Sequence, residues 1–152
     1  MEIRQDNPAA HHVADLLAYH IQELQNAMAE HAFALDATGL SAANITFWTA
    51  WEGKALVGFG ALKELDDTHG EVKSMRAAPT ARGTGVGRAM LNHIVAEARR
   101  RGYAQLSLET GTATLHAPAI ALYKSAGFKS CDAFADYQSS PYNQFFRLGL
   151  SA

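Results

Sequence analysis

Apolar positions along the chain keep two different rhythms. Positions 3–5 read as a short first strand. Asn7-Pro8 then has the form of a helix start, with Asn as N-cap and Pro at the first helical position. Val13, Leu17, Leu24 and Met28, with Leu16 and Ile21 beside them, recur at helical spacing and predict an amphipathic helix to about Glu30. That helix should end before the Asp36-Ala37-Thr38-Gly39 turn, and the pattern leaves open whether one or two helices fill positions 8–44.

The rhythm then shortens. Positions 45–51 are β-branched and aromatic, 55–63 form a hairpin partner across Glu52-Gly53-Lys54, and a third strand runs over 71–76 after the turn at 66–70. These three strands predict an antiparallel meander. Pro79 closes the strand region and opens a loop of small residues. Val86, Met90, Leu91, Ile94, Val95 and Ala98 give a long helix with one apolar face. Arg99-Arg100-Arg101 suits its negative end and Gly102 its C′ position, so the charge run is explained by capping and solvation. Further strands are predicted over 104–109, 129–134 and 145–150, with a short helix from Pro118 to Ala126 ended by Gly127.

Bulk properties narrow the function classes. The 152 residues suit one domain over 1–152, without repeat or linker. A 48 % hydrophobic and 18 % charged composition fits a folded chain rather than a disordered one. The net charge of −2 gives no general attraction to nucleic acid or anionic membrane. No apolar run is long enough to span a bilayer and the N-terminus has no signal-peptide core, so a cytoplasmic location is expected. Cys131 is the single cysteine, which excludes an internal disulfide and reads as a packed or surface thiol. The histidines form no metal-ligand pattern, so no metal is expected.

The candidate chemistry sits in the loop Arg82-Gly83-Thr84-Gly85-Val86-Gly87, between the third strand and the long helix. Glycines allow positive φ and close approach of backbone N–H groups to a ligand. The helix start aims its free N–H groups and positive dipole end at the same place, which makes an anion site suited to phosphates. Arg82 and Arg88 flank it. A P-loop would end Gly-Lys-Ser/Thr, and a dinucleotide fold would read Gly-x-Gly-x-x-Gly near the start of the chain. Neither pattern fits, although Glu109 lies where a ribose-binding acid would be sought.

The segment from Met75 through Pro79 to Gly87 is similar to motif A of the GNAT superfamily of N-acetyltransferases, whose pattern is Arg/Gln-x-x-Gly-x-Gly/Ala after a strand. Leu122-Tyr123-Lys124-Ser125-Ala126-Gly127-Phe128 resembles the family's motif B. The two motifs stand in the family's order and spacing, and the predicted elements match over nearly the whole chain. The resemblance implies an α/β fold, a mixed, mostly antiparallel sheet flanked by helices and splayed at the acetyl-CoA site.

It also implies direct transfer of an acetyl group from acetyl-CoA, as cosubstrate, to a primary amine. On that basis Met75, Arg76 and Ala77 lie along the splayed strand edge beside the pantetheine arm. Arg82, Gly83, Thr84, Gly85, Val86, Gly87 and Arg88 hold the pyrophosphate. Tyr123 maps onto the general acid that protonates the leaving thiolate. Either Glu71 or Glu109 could take the amine proton through water, with Glu109 preferred because its strand leads toward the cleft. His116 stands where many members have Asn, seven positions before Tyr123, and either replaces its hydrogen bond or acts as a base.

The resemblance places the acceptor among Trp48, Trp51, Lys63, Glu64, Lys73, Asp136, Tyr137 and Tyr142, with both tryptophans also expected in the core. Its preferred class is a small-molecule amine, with a protein or peptide amine second. A homodimer is compatible with the family. Outside this reading stand a non-catalytic acyl-CoA-binding module and a nucleotide-dependent oxidoreductase.

Overall fold

The chain begins with a strand, β1 (Glu2–Gln5), and the first expected helix starts later than Asn7. The Asn7 side chain turns back to accept the Ala9 N–H at 2.9 Å, and its carbonyl accepts that of Ala10 at 3.0 Å. Such an Asx turn competes with helix capping. A single 3₁₀ turn (His11–Val13) follows, and α1 runs over Ala14–Met28. The expected end near Glu30 falls outside the described residues, because the computed structural model describes residues 1–29 and 32–150. Two helices occupy the region: one-turn α2 (Ala37–Leu40) follows, with the Asp36 carboxylate accepting from Gly39 N–H at 2.8 Å as its N-cap.

The meander forms as expected, with longer strands: β2 (Ile45–Glu52), β3 (Ala55–Asp66) and β4 (His69–Ala77). After β4 come the glycine loop, α3 (Val86–Arg100), β5 (Gln105–Gly111), a 3₁₀ turn (Thr114–His116) and α4 (Ala117–Ser125). The chain ends on β6 (Lys129–Cys131) and β7 (Asn143–Gly149). β6 stops short of the expected Phe134, which instead packs against Tyr137 and Phe145 at ring separations of 5.2 and 5.8 Å. Burial of that aromatic group outweighs three more residues of edge pairing.

All strands join one sheet in the order β1-β2-β3-β4-β5-β7-β6. Every neighbouring pair is antiparallel except β4 and β5. That parallel ladder is short: only His69–Glu71 pairs with Gln105–Ser107. Further along β4, Ser74 and Met75 face the single residue Gly60 across the β3–β4 ladder, and Ser74 takes φ +50°. This bulge bends β4 away from β5. The two strands splay into a wedge whose edges carry backbone groups unpaired across it.

Helices α3 and α4 cover one face and α1 and α2 the other. On the first face Met90, Leu91 and Ile94 of α3 pack with Leu62, Val72, Leu106, Leu108 and Tyr123. Burying each large apolar side chain stabilises the fold by about 1.5–3 kcal/mol. α3 sits close to β3 because Gly58 and Gly60 carry no side chain. A Cβ on either would lie 2.8 Å from Val86 Cγ1 or Met90 Cγ. On the second face Val13, Leu17 and Leu40 pack on Phe47, Phe59 and Ala61. Among the described residues no helix is long and apolar enough to cross a membrane.

Candidate active site

A cavity of about 800 Å³ fills the wedge between β4 and β5 and runs on to the start of α3. Its floor at one end is the glycine loop. Gly83 and Gly85 take φ +77° and +90°, values that L side chains rarely adopt, and a Cβ on either would meet nothing within 4 Å. The loop is therefore shaped by backbone conformation, with its outer surface open. Gly85 is the N-cap of α3, whose first N–H groups lack intrahelical acceptors and point into this end. Arg82, Gly87 and Arg88 line the same end. Thr84 and Val86 are turned elsewhere: the Thr84 hydroxyl donates to Ala81 O, and the Val86 side chain is buried in the core.

Two of the site cations are bound to an anion on α1. Arg76 Nε donates to His20 Nδ1 at 2.9 Å, and its Nη1 reaches the Glu23 carboxylate. Arg82 Nη2 lies 3.3 Å from the other Glu23 oxygen and 3.2 Å from Tyr19 Oη. Burial raises the Glu23 pKa, but hydrogen bonds from Tyr19 and Arg76, with the charges of both arginines, win and bring it to about 2. Glu23 is thus a fixed anion beside the phosphate loop. Burial first, then Arg76, holds the His20 pKa at about 3, so the ring is neutral. His20 was not anticipated. Its signal was its place on the buried stripe of α1, at 17, 20, 24 and 28, where every other residue is apolar.

The other end of the cavity gathers ionisable groups from several elements. Glu71 on β4 is 1 % exposed. It accepts the Tyr137 hydroxyl at 2.6 Å and lies 3.5 Å from Lys73 Nζ, which itself donates to Tyr137 Oη at 2.7 Å. Glu109 on β5 differs: its Oε2 is buried without a partner among the described residues. Burial raises its pKa to about 7. Lys73 opposes the rise, Glu71 adds to it, and the Asn143 amide opposes it. A carboxylate balanced near neutrality is suited to accepting a proton.

Tyr123 on α4 lines the cavity from the opposite face of the sheet. Its ring is buried against Phe128 and Phe146. Burial, opposed by Arg76 and aided by Glu109, raises its pKa to about 12, so it stays a proton donor. His116 is buried over Gly111, with Nε2 lacking a partner among the described residues. Burial first, then Arg76, lowers its pKa.

Of the expected acceptor residues, Lys73 lines this cavity and Tyr137 touches it through Lys73 and Glu71. Lys63, Glu64 and Asp136 line a separate surface pocket of about 410 Å³. Trp48 is core, as expected. Trp51 lies under Arg4, whose Cζ is 4.6 Å from its ring centroid. Tyr142 is exposed on the β6–β7 connection. Phe33, which sequence reasoning passed over, lines the cavity and meets the Tyr137 ring edge-on at 5.3 Å. No periodicity marks it, because it stands between elements.

Comparison with known proteins agrees with this geometry. The acetyltransferase (GNAT) family model matches residues 11–128. The N-acetyltransferase YsnE of Bacillus subtilis is 44 % identical over 99 % of this chain and 100 % of its own length. An IAA acetyltransferase of Azospirillum brasilense is 38 % identical, covering 80 % of this chain and 79 % of its own. The fold matches a GNAT family acetyltransferase from Elizabethkingia anophelis, solved with acetyl-CoA bound, at a TM-score of 0.70 and 15 % identity, covering 98 % and 97 % of the two chains. With both sequence motifs on the walls of one splayed cleft, the chain belongs to the GNAT family of N-acetyltransferases.

Proposed function

We propose that the chain moves an acetyl group from acetyl-CoA directly onto a primary amine of a small molecule. One observation carries this reading: a single cleft holds an open phosphate-type loop at one end and, toward the other, Glu109 with a buried oxygen that lacks a partner among the described residues, lined also by the Tyr123 phenol. The pyrophosphate fits the backbone of Gly83, Gly85 and Gly87, the start of α3, and Arg82 and Arg88. The pantetheine arm fits along Met75, Arg76 and Ala77, on a β4 edge that β5 does not pair.

Glu109, with a pKa of about 7, takes the proton from the ammonium, directly or through water. Glu71 is the weaker candidate, since Tyr137 and Lys73 already occupy one of its oxygens. The free amine attacks the thioester carbonyl. A β4 backbone N–H steadies the developing oxyanion. The carbon–sulfur bond then breaks, Tyr123 gives its proton to the sulfur, and the proton still on the acetylated nitrogen passes through water to the phenolate, which leaves a neutral amide and a restored tyrosine. A free thiol has a pKa of about 8.5, well below the value of about 12 at Tyr123, so the phenol is still protonated when the thiolate forms. No group is covalently acetylated on this route. Buried His116, its pKa lowered, serves as a neutral hydrogen-bonding group toward the ligand.

The small-molecule acceptor is supported by the walls that α1, Phe33 and Ala34 give the cavity and by the name of the Azospirillum relative. A measurement of free-thiol release from acetyl-CoA, over a panel of amines and peptides, tests the reading. Turnover on at least one small amine is expected. Turnover on peptides alone would move the acceptor class, and tight CoA binding without any turnover would leave a binding module.

A further inference from the structure

We propose that the acceptor is a primary amine borne on an apolar, ring-sized body and carrying no carboxylate. This rests on the acetyl-transfer reading above and follows from charge matching at the α1 side of the cleft. Glu71 and Lys73 neutralise one another there. Their groups lie 3.5 Å apart, and the Tyr137 hydroxyl joins them by donating to Glu71 at 2.6 Å and accepting from Lys73 at 2.7 Å. Lys73 Nζ also lies 5.4 Å from the Tyr137 ring centroid, so this cation is engaged on two sides. Glu109 remains, with a buried oxygen lacking a partner among the described residues.

An ammonium group entering this end gives that oxygen its missing hydrogen bond and its opposite charge. A carboxylate on the carbon next to the amine would be brought close to Glu109 and would have to leave water to get there. The cations that could receive it are committed. Arg76 is bonded to His20 and Glu23, and Arg82 lines the glycine-loop end, where the pyrophosphate takes it. Like charges about 6 Å apart at a partly buried site disfavour binding by roughly 100-fold.

Apolar side chains line the cavity beside these ionisable groups. Five large hydrophobic side chains are exposed on the described surface, and two of them, Phe33 (43 %) and Leu115 (42 %), line this one cavity. Leu24 and Met28 of α1 line it too. Phe33 and Tyr137 meet at 89°, a T-shaped pair, and Phe33 keeps 43 % of its surface exposed for a further ring. Exposed apolar groups gathered in one concave site mark a ligand surface.

Matched pairs of acceptors test the inference: phenethylamine against phenylalanine, tyramine against tyrosine, and phenethylamine against ethylamine. Each is assayed as kcat/KM for thiol release, with acetyl-CoA affinity measured by calorimetry. The amine of each carboxylate pair is expected to win by roughly 100-fold. Phenethylamine is expected to exceed ethylamine by roughly 10-fold or more. Phe33→Ala should remove most of the second preference without weakening acetyl-CoA binding. Equal or better turnover of the amino acids overturns the carboxylate exclusion, and ethylamine matching phenethylamine overturns the apolar body. Tight acetyl-CoA binding with no turnover of any of these amines overturns the acceptor inference alone. Absence of acetyl-CoA binding removes the donor reading beneath it.

Discussion

Replacing Glu109 by Gln should cut activity sharply to a small measurable rate and, at alkaline pH, make the protein more stable. Folding carries this acid from 4.5 to about 7, chiefly by burial. A carboxylate whose pKa rises on folding is protonated in the native state while the unfolded chain has already lost its proton. Between those two values the native state binds more protons, so stability falls as pH rises from about 4.5 and the whole loss is present above 7. The span corresponds to about 3 kcal/mol. About 2.5 kcal/mol of it accrues between pH 5 and 8.5. Gln copies the neutral acid and does not titrate. The melting temperature of Glu109→Gln relative to the parent should therefore climb by roughly 5–10 °C between pH 5 and 8.5 for a chain of this length. Scanning calorimetry of both proteins across that range measures it. The kcat/KM of the parent should rise with pH through a limb near 7, and that limb should vanish in the variant. A melting-temperature difference that does not change with pH would refute the assignment of the buried, untethered carboxylate to Glu109.

Other substitutions separate the parts of the cleft. Tyr123→Phe should lower kcat roughly 100-fold with little change in the KM for acetyl-CoA, read by thiol release. Gly85→Ala meets no neighbour but must hold φ +90°, so it should cost about 1–2 kcal/mol of local conformation and weaken CoA binding about tenfold or more by calorimetry. His116→Asn should leave the pH limb near 7 in place, because burial already keeps His116 neutral there; a shifted limb would transfer the base role to His116.

The glycine loop and the Tyr123 motif were legible because each depends on contiguous residues: positive φ at Gly83 and Gly85, and one short helix capped by Gly127. The meander was legible for the same reason. The splay was expected only through the family resemblance, since its cause is the bulge at Ser74–Met75 opposite Gly60, a mismatch between strands that no local pattern records. The start of α1 was misplaced because Asn7 had two competing uses, cap and Asx turn, and the local turn won. The Glu71–Tyr137–Lys73 cluster joins residues more than sixty positions apart and could be assembled only by the fold. His20 and Glu23 were hidden because α1 reads as an ordinary amphipathic helix until Arg76 is seen against it.

The account turns on the wedge between β4 and β5 being the donor site, and a crystal structure of the protein grown with acetyl-CoA tests that most directly. The account predicts the pyrophosphate on the amides of residues 83–88, the pantetheine arm between Met75–Ala77 and β5, and the thioester sulfur beside the Tyr123 hydroxyl. A donor found in the pocket at Lys63, Glu64 and Asp136, or a thioester remote from Tyr123 and Glu109, would contradict it.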